Sequence, residues 1–177
     1  MTTTYGWVNF GARCWQFVWT LITTALIGNV IACNINGSSS ATTTLNYTMW
    51  TLSLCWVSMF YGLAASFFVS IAVPVILVGL DGLTTLFLFV DAIVVSARIR
   101  AVDCSRLVPS KLPHNYIAWG SNHDEKRCRE IQASAVFLWF LFLSFVLTLT
   151  FAVIDMRRRG LKGAGGAGGP SMTQVRD

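Results

Sequence analysis

Two aspartates and two arginines interrupt or close a stretch of this chain that is otherwise strongly apolar. The stretch reads LDGLTTLFLFVDAIVVSARIRAVDC over residues 80–104 and contains Asp81, Asp91, Arg98 and Arg100. An ionisable residue at membrane depth is by default a candidate for contact with a ligand, an ion or a proton. Asp91 and Arg98 would share one face of a helix, about 10 Å apart along its axis. They could form a functional site, or the carboxylates could link helices through hydrogen bonds.

A proton or ion path needs further polar residues that face the carboxylates at similar depth. Apart from hydroxyl groups, Asn29 is almost the only candidate in the apolar segments, and both histidines, His114 and His123, lie in a polar segment. This scarcity favours structural ties. We expect Asp81 to bind backbone or hydroxyl groups of the second apolar segment, or to meet headgroup water.

The sequence lacks the patterns that enzymes and metal sites use. It has no nucleophile–base pair and no His/Cys cluster at metal-ligand spacing. GAGGAGG (residues 163–169) follows no predicted strand and opens no predicted helix, so it is typical of a flexible linker rather than a phosphate-binding loop. We therefore predict no catalytic residue, no cofactor and no metal.

Composition places the chain in a bilayer. Of its 177 residues, 54% are hydrophobic and 12% are charged, whereas soluble domains carry about 25% charged residues. A membrane helix needs about 20 apolar residues, and four segments qualify: 14–32, 48–73, 75–97 and 133–154. Pro74 separates the second from the third, which predicts a tight hairpin. The prediction is an all-α membrane protein, a four-transmembrane-helix bundle with both termini on one side.

The predicted spans divide the rest of the chain between two sides. Residues 1–13 and 156–177 form one side, and the loops 33–47 and 98–132 form the other. The tail is first basic and then glycine-rich. Basic residues beside a span typically bind anionic lipid headgroups, so we assign this role to Arg157, Arg158, Arg159 and Lys162. Their position beside a span makes nucleic-acid binding a poor alternative.

Cysteines and glycan sequons indicate the orientation, because basic residues are similarly frequent on both sides. Cys104 and Cys128 flank the long loop and are well placed for a disulfide, which would put that loop in an oxidising compartment. Two free thiols are the alternative. Asn36 and Asn46, in the other loop, are candidate glycan acceptors. Together these features favour cytoplasmic termini.

The cysteines in or beside the first two spans raise further questions. VIAC (residues 30–33) mimics a lipoprotein cleavage box, but the apolar run is too long for a typical signal core and only Arg13 precedes it as a basic residue. Cys14, next to Arg13, is a candidate palmitoylation site. Ordinary apolar packing suits Cys33 and Cys55.

Small residues spaced four apart indicate how the helices associate, since membrane helices pack closely where side chains are small. Three spans carry such rows: Thr20, Thr24, Gly28 and Ala32; Ser58, Gly62, Ser66 and Ser70; and Ser144, Thr148 and Ala152. Rows of this kind favour a compact bundle. A wide pore would need polar faces, which these spans lack.

Several short motifs follow one another beyond residue 45. They are NYTM (46–49), YG (61–62), VPVILVGLD (73–81), IRAVDC (99–104), RCREIQASAVFL (127–138) and PSMTQV (170–175). With four spans, a cysteine-bounded loop and a short basic tail, the chain resembles the MARVEL domain family. It looks most like the fungal members associated with eisosomes and non-classical protein export.

The resemblance implies a plasma-membrane protein that organises furrow-like lateral domains, influences the cytoplasmic coat beneath them and responds to sphingolipid levels. Asp91 and Arg98 do not fall on matching positions, so no family-wide role is implied for that pair. The positions that match are Asp81, Arg100, Cys104, Arg127 and Cys128.

The leading interpretation is a non-enzymatic organiser of plasma-membrane lateral domains. Its expected partners are membrane lipids (sphingolipid and anionic inner-leaflet lipid), cytoplasmic eisosome coat proteins and further copies of itself. One alternative is a small transporter or export component that uses Asp91 with Arg98. Another is a pure adaptor for a cytoplasmic protein. The scarcity of polar residues facing Asp91 favours the organiser.

Overall fold

Four long α-helices account for most of this computed structural model: α1 (Thr3–Ala32), α2 (Ser39–Phe67), α3 (Pro74–Ile99) and α4 (Asp124–Gly165). The structure describes residues 3–35, 37–67, 73–100, 103–104, 116–121 and 123–165, with side chains from residue 7 to residue 157. Those ranges contain no strand. Each helix is long and apolar enough to cross a membrane. The predicted all-α architecture with four membrane helices is confirmed.

Three helices begin well before the predicted spans. α1 begins at Thr3, whereas the first predicted span begins at residue 14. α2 begins at Ser39, so most of the predicted loop 33–47 is helical. α4 runs from Asp124 to Gly165, well beyond the predicted 133–154. The predicted spans omit these residues because apolarity marks only the part of a helix that crosses hydrocarbon, whereas polar turns can continue the same helix into the headgroup region.

Local hydrogen bonds explain where the helices begin. The Ser38 hydroxyl accepts the Ala41 N–H at 3.3 Å, which caps the polar first turn of α2. At the start of α4, the Asp124 carboxylate accepts the Ser121 N–H at 2.9 Å, and its charge suits the positive end of the helix dipole. Pro74 is the first residue of α3, where its missing N–H costs nothing.

The helices pack mainly in the cyclic order α1, α2, α3, α4. Fully buried apolar residues fill the centre, among them Ile27, Leu52, Leu88, Leu138 and Phe145. The predicted rows of small residues contribute buried members as well: Thr20, Ser58, Gly62, Ser144 and Thr148. Exposed large apolar residues occur on every helix, for example Leu21, Val57, Leu86 and Leu147. In a bilayer these outward side chains contact lipid.

The bundle has two distinct ends. We call the end with the start of α1 and the break at Pro74 the terminal end, and the opposite end the loop end. At the loop end, the Ile35 N–H donates to the Gly120 carbonyl at 2.9 Å and joins the two connections. Asn34 accepts the Gly37 N–H at 3.0 Å, and a Cβ on Gly37 would lie 2.2 Å from the Asn34 Oδ1. A side chain at position 37 would therefore displace the Asn34 side chain from this turn.

Candidate functional site

Buried polar side chains from all four helices meet in the terminal half of the bundle. We call this group the terminal-end cluster: Arg13 and Gln16 of α1, Ser58 of α2, Asp81 of α3 and Thr148 of α4. Each of these residues is at most 1% exposed. Polar groups at this depth need protein partners, because neither lipid nor an apolar core replaces water.

The Arg13 guanidinium forms a bidentate pair with the Asp81 carboxylate. Nη1 donates to Oδ1 at 3.0 Å, and Nη2 donates to Oδ2. The Ser58 hydroxyl donates to the same Oδ1 at 2.5 Å. Paired N–H···O bonds of this kind are among the strongest that proteins form. The two charges therefore neutralise each other inside the bundle.

Gln16 extends the cluster to α4. Its Oε1 accepts from Arg13 Nη1 at 3.2 Å, and its Nε2 donates to the Thr148 hydroxyl at 3.0 Å. The Thr148 hydroxyl donates in turn to the Phe145 carbonyl at 3.1 Å. A continuous chain of hydrogen bonds thus joins all four helices.

Gly62 of α2 provides the space in which Arg13 lies. A Cβ at this position would be 2.5 Å from both Cζ and Nε of Arg13, closer than atoms can approach. Glycine in a helix interior costs about 1 kcal/mol relative to alanine. Here the missing side chain lets a guanidinium lie against the α2 backbone, which is a more specific role than general close packing.

The arrangement suits a structural tie better than a reactive site. Both charges are paired, and removing one partner of a buried ion pair typically costs about 3–5 kcal/mol. Ser58 is a hydroxyl partner of the kind expected for Asp81, but sequence reasoning missed Arg13 because it ended the terminal segment at residue 13. The sequence did contain a signal for this pair. Asp81 lies in an apolar segment and needs a counter-charge, and Arg13 is the only basic residue before the first predicted span.

Asp91 has a different environment from Asp81 on the same helix. It is fully buried, and its Oδ1 accepts the Thr48 hydroxyl of α2 at 2.8 Å. Its Oδ2 has no hydrogen-bond partner in the described part of the protein. Asp91 is thus a second link between α2 and α3, but only one of its two carboxylate oxygens has a hydrogen-bond partner among the described residues.

Arg98 does not pair with Asp91. It extends towards the loop end, where its Nη1 donates to the Ser40 hydroxyl at 3.4 Å, and its side chain is exposed. A long basic side chain near a helix end gains hydration by reaching the headgroup region. The structure therefore separates the two residues that the transporter alternative uses together. Arg100 is also exposed, immediately after the last residue of α3.

The loop end of α3 is joined to α4 covalently. Cys104 and Cys128 form a disulfide with a Cα–Cα distance of 5.8 Å. Beside it, the Tyr116 hydroxyl donates to the Ile99 carbonyl at 2.9 Å. Burial raises the pKa of the Tyr116 phenol, an effect that the positive charge of Arg100 opposes. The phenol remains protonated at neutral pH and can act as this donor.

The other predicted site residues are scattered. Cys14 is exposed on α1, and its palmitoylation stays a prediction. Asn46 is exposed but lies within α2, whereas glycan acceptors usually lie in loops; Asn36 lies outside the described residues. Arg157 is exposed near the end of α4. The side chains of the remaining basic cluster lie outside the described residues: Arg158, Arg159 and Lys162.

The described residues contain no group of three or more His, Cys, Asp or Glu side chains that could hold a metal ion. The strongest polar arrangement in this part of the protein is therefore the terminal-end cluster, which joins helices.

Comparison with known proteins identifies relatives over most of the chain. It is 30% identical to non-classical export protein 2 of Saccharomyces cerevisiae over 154 residues, which cover 86% of this chain and 84% of the relative. It is 31% identical to non-classical export protein 2 homolog 1 of the same yeast over 81% of this chain and 78% of the relative. No solved structure matches the chain.

A third relative and a family model complete the comparison. Non-classical export protein 102 of Candida albicans is 34% identical over 169 residues, which cover 92% of this chain and 95% of the relative. The model of the MARVEL membrane-associating domain matches residues 6–151, from the start of α1 into the last part of α4. The chain is therefore a multi-span membrane protein that belongs to the MARVEL family and is related to the non-classical export proteins.

Proposed function

We propose that this protein is a non-enzymatic organiser of lateral domains in the plasma membrane, with both termini in the cytoplasm. The observation that carries the proposal is the separation between the inside and the outside of the bundle. Arg13 and Asp81 pair with each other inside the bundle, whereas large apolar side chains face outward on every helix. The protein thus offers lipid a broad apolar rim.

Selective solvation by lipid is the proposed mechanism. α2 and α3 contain 29 and 26 residues, which at about 1.5 Å per residue makes them about 44 and 39 Å long. These lengths include polar turns such as the start of α2, and they match a bilayer of about 40–45 Å with its headgroups. Sterol- and sphingolipid-rich membranes are a few Å thicker than average, and we propose that the apolar part of the helices has its lowest mismatch cost there. Lipids of matching length, sphingolipids included, would gather at the rim.

The basic end of α4 supplies the proposed cytoplasmic contact. Arg157 is exposed there, and Arg158, Arg159 and Lys162 follow it in the sequence. We propose that these residues bind anionic lipid of the inner leaflet and hold the tail where eisosome coat proteins assemble. Assembly into furrow-type domains would then involve several copies of the protein, their lipid rims and the coat.

The test of the proposal is lateral mobility in living cells. In a triple variant, Arg157→Glu with Arg158→Glu and Arg159→Glu, we expect fewer clusters and faster fluorescence recovery after photobleaching, because anionic lipid then repels the tail. The matched control carries lysine at the same three positions and should cluster like the parent. Unchanged clustering in the glutamate variant, with insertion intact, would contradict the role of the tail.

A part in export is the second candidate function. The relatives bear the name non-classical export protein, and Asp91 keeps one buried carboxylate oxygen without a partner in the described part of the chain. If Asp91 serves a transported group, Asp91→Asn should abolish export while the protein still reaches the surface. Normal export in that variant would remove this candidate.

A further inference from the structure

A cavity of about 290 Å³ opens at the loop end between the last turns of α1 and the first turns of α4. Its polar lining includes Asn29, Cys33, His123, Lys126, Arg127 and Glu130. Its apolar lining includes Val30, Ala32 and Ile35. None of these residues belongs to the terminal-end cluster, so the cavity is a separate candidate for ligand binding.

Arg127 has unused donors in the wall of this cavity. Its side chain is 2% exposed, and Nη1 donates to the Asn34 Oδ1 at 2.9 Å. Nε and Nη2, however, have no hydrogen-bond partner among the described residues. A guanidinium stays charged in a protein, and buried donors without acceptors are costly. Nε and Nη2 form one edge of the guanidinium, which fits two oxygens of a single oxyanion.

The neighbouring carboxylates are already engaged elsewhere. Glu130 accepts both of its hydrogen bonds from the Asn29 amide, at 2.8 and 2.9 Å, and lies 3.7 Å from the Lys126 ammonium. Asp124 accepts the Ser121 N–H. Arg127 therefore has no bonded carboxylate among the described residues, and Lys126 adds a second cation at the rim. The cavity suits an anion.

The position of the cavity favours a lipid as the source of that anion. It lies where the apolar part of α1 ends, and Ile35 on its wall is exposed. A headgroup could enter while its acyl chains remain along the outside of the helices. The volume is near the lower limit for small-molecule sites, enough for a headgroup but not for a whole lipid.

We infer that this cavity binds the phosphodiester of a membrane-lipid headgroup, with the free edge of Arg127 as its main contact. Binding would require a small movement of the Arg127 side chain, because the two free donors lie beneath the cavity surface. The single negative charge of the phosphodiester would be balanced by the Arg127 guanidinium, with Lys126 and Glu130 beside each other at the edge of the cavity. The site would then hold one lipid at the junction of α1 and α4.

Native mass spectrometry of the full-length protein in detergent tests the inference. Phosphatidylglycerol should bind, and diacylglycerol, which lacks phosphate, should not. Arg127→Gln should weaken binding about tenfold or more, since hydrogen bonds between charged groups are the strong ones. The matched control is Arg129→Gln, because Arg129 lies on the same helix but is exposed and pairs with Glu125. That control should bind like the parent.

Labelling of Cys33 gives a readout that needs no change at Arg127. Cys33 is an exposed free thiol that lines the cavity. In a Cys14→Ser background, phosphatidylglycerol should slow the reaction of Cys33 with maleimide, whereas diacylglycerol should leave it unchanged. This measurement tests whether the cavity binds the lipid even if the Arg127→Gln variant fails to fold.

Three outcomes would overturn the inference: equal binding of both lipids, unchanged affinity in Arg127→Gln, or no protection of Cys33. Binding of inorganic phosphate is measured in the same assay, to distinguish a lipid headgroup from free phosphate as the bound anion. If inorganic phosphate binds as tightly as phosphatidylglycerol with the same dependence on Arg127, the assignment to a lipid is wrong. The inference does not depend on the proposed organiser function, because a variant with normal clustering can still lose the lipid.

Discussion

At the terminal end a noncovalent chain of polar groups joins four helices, whereas at the loop end a disulfide joins α3 to α4. The terminal end pairs its two buried charges with each other, Arg13 with Asp81. The loop end buries a cation, Arg127, and two of its donors have no partner in the part of the chain that the structure describes. The Arg13 guanidinium is therefore balanced by a carboxylate, with only its Nε left without a partner among the described residues, whereas Arg127 has no bonded carboxylate there and retains capacity for a ligand.

This difference indicates which end of the bundle should control folding stability and which end is available for ligand binding. A satisfied ion pair in a low-dielectric core resists change, since either partner alone would be an unpaired buried charge. The Cys104–Cys128 disulfide holds the loop end of α3 to α4 without any contribution from Arg127. We therefore expect substitutions at the terminal end to affect folding most, and substitutions around Arg127 to affect binding.

The largest expected effect comes from breaking the ion pair. Asp81→Ala leaves Arg13 buried and unpaired, and should lower the free energy of unfolding by about 3–5 kcal/mol. Reversible unfolding in mixed micelles, followed by circular dichroism, measures this change. The comparison variant is Asp91→Asn, which keeps a partner for Thr48 on the same helix and should cost far less. Equal losses in the two variants would contradict the distinction between the aspartates.

Removal of the disulfide should have the next largest effect. Cys104→Ser with Cys128→Ser opens a link across a sequence separation of 24, which should cost about 2–4 kcal/mol. Reductant should lower the unfolding midpoint of the parent protein and leave the double variant unchanged. Cys14→Ser, at an exposed thiol, is the control. A parent protein that is insensitive to reductant would count against the bond.

Gly62→Ala tests whether glycine is needed to hold the arginine. The added Cβ would overlap the Arg13 guanidinium, and overpacking of this kind costs about 1–3 kcal/mol. Gly28→Ala is the matched control, because nothing lies within 4 Å of a Cβ at that position. We expect the control to be neutral or stabilised by up to about 1 kcal/mol. The same unfolding assay applies, and similar results at both glycines would refute the role of Gly62.

The smallest expected effect concerns Asp91. Thr48→Val removes its one hydroxyl donor and should cost about 0.6 kcal/mol, the average for hydrogen bonds between membrane helices. Ser53→Ala is the control, since Ser53 is exposed and bonds only the Met49 carbonyl of its own helix. A loss at Thr48 as large as that at Asp81 would contradict the distinction between a neutral hydrogen bond to Asp91 and the ion pair of Asp81.

Sequence reasoning captured the features that depend on composition and order. Four apolar segments, the break at Pro74 and the family motifs were sufficient to predict the bundle and its MARVEL membership. Helix ends were harder, because the polar turns at Ser39 and Asp124 belong to helices whose apolar parts begin later. Hydrogen-bonded caps decide such ends, and hydropathy does not detect them.

The site was only partly predictable, because partner choice depends on how helices rotate against one another. Asp81 stood out in the sequence, but its partner Arg13 is 68 positions away on another helix. Asp91 and Arg98 are near in sequence and suggested a pair, yet one turns to Thr48 and the other to Ser40. Only a three-dimensional arrangement shows that Nε and Nη2 of Arg127 have no partner among the described residues.

A double-mutant cycle on Arg13 and Asp81 tests the central claim most directly. Arg13→Met, Asp81→Leu and the combined variant would be unfolded reversibly in the same micelles. We predict that the combined variant loses much less stability than the sum of the single losses, with a coupling energy of about 2–3 kcal/mol. Additive losses, with a coupling energy near zero, would show that the two residues do not form the tie that joins the helices.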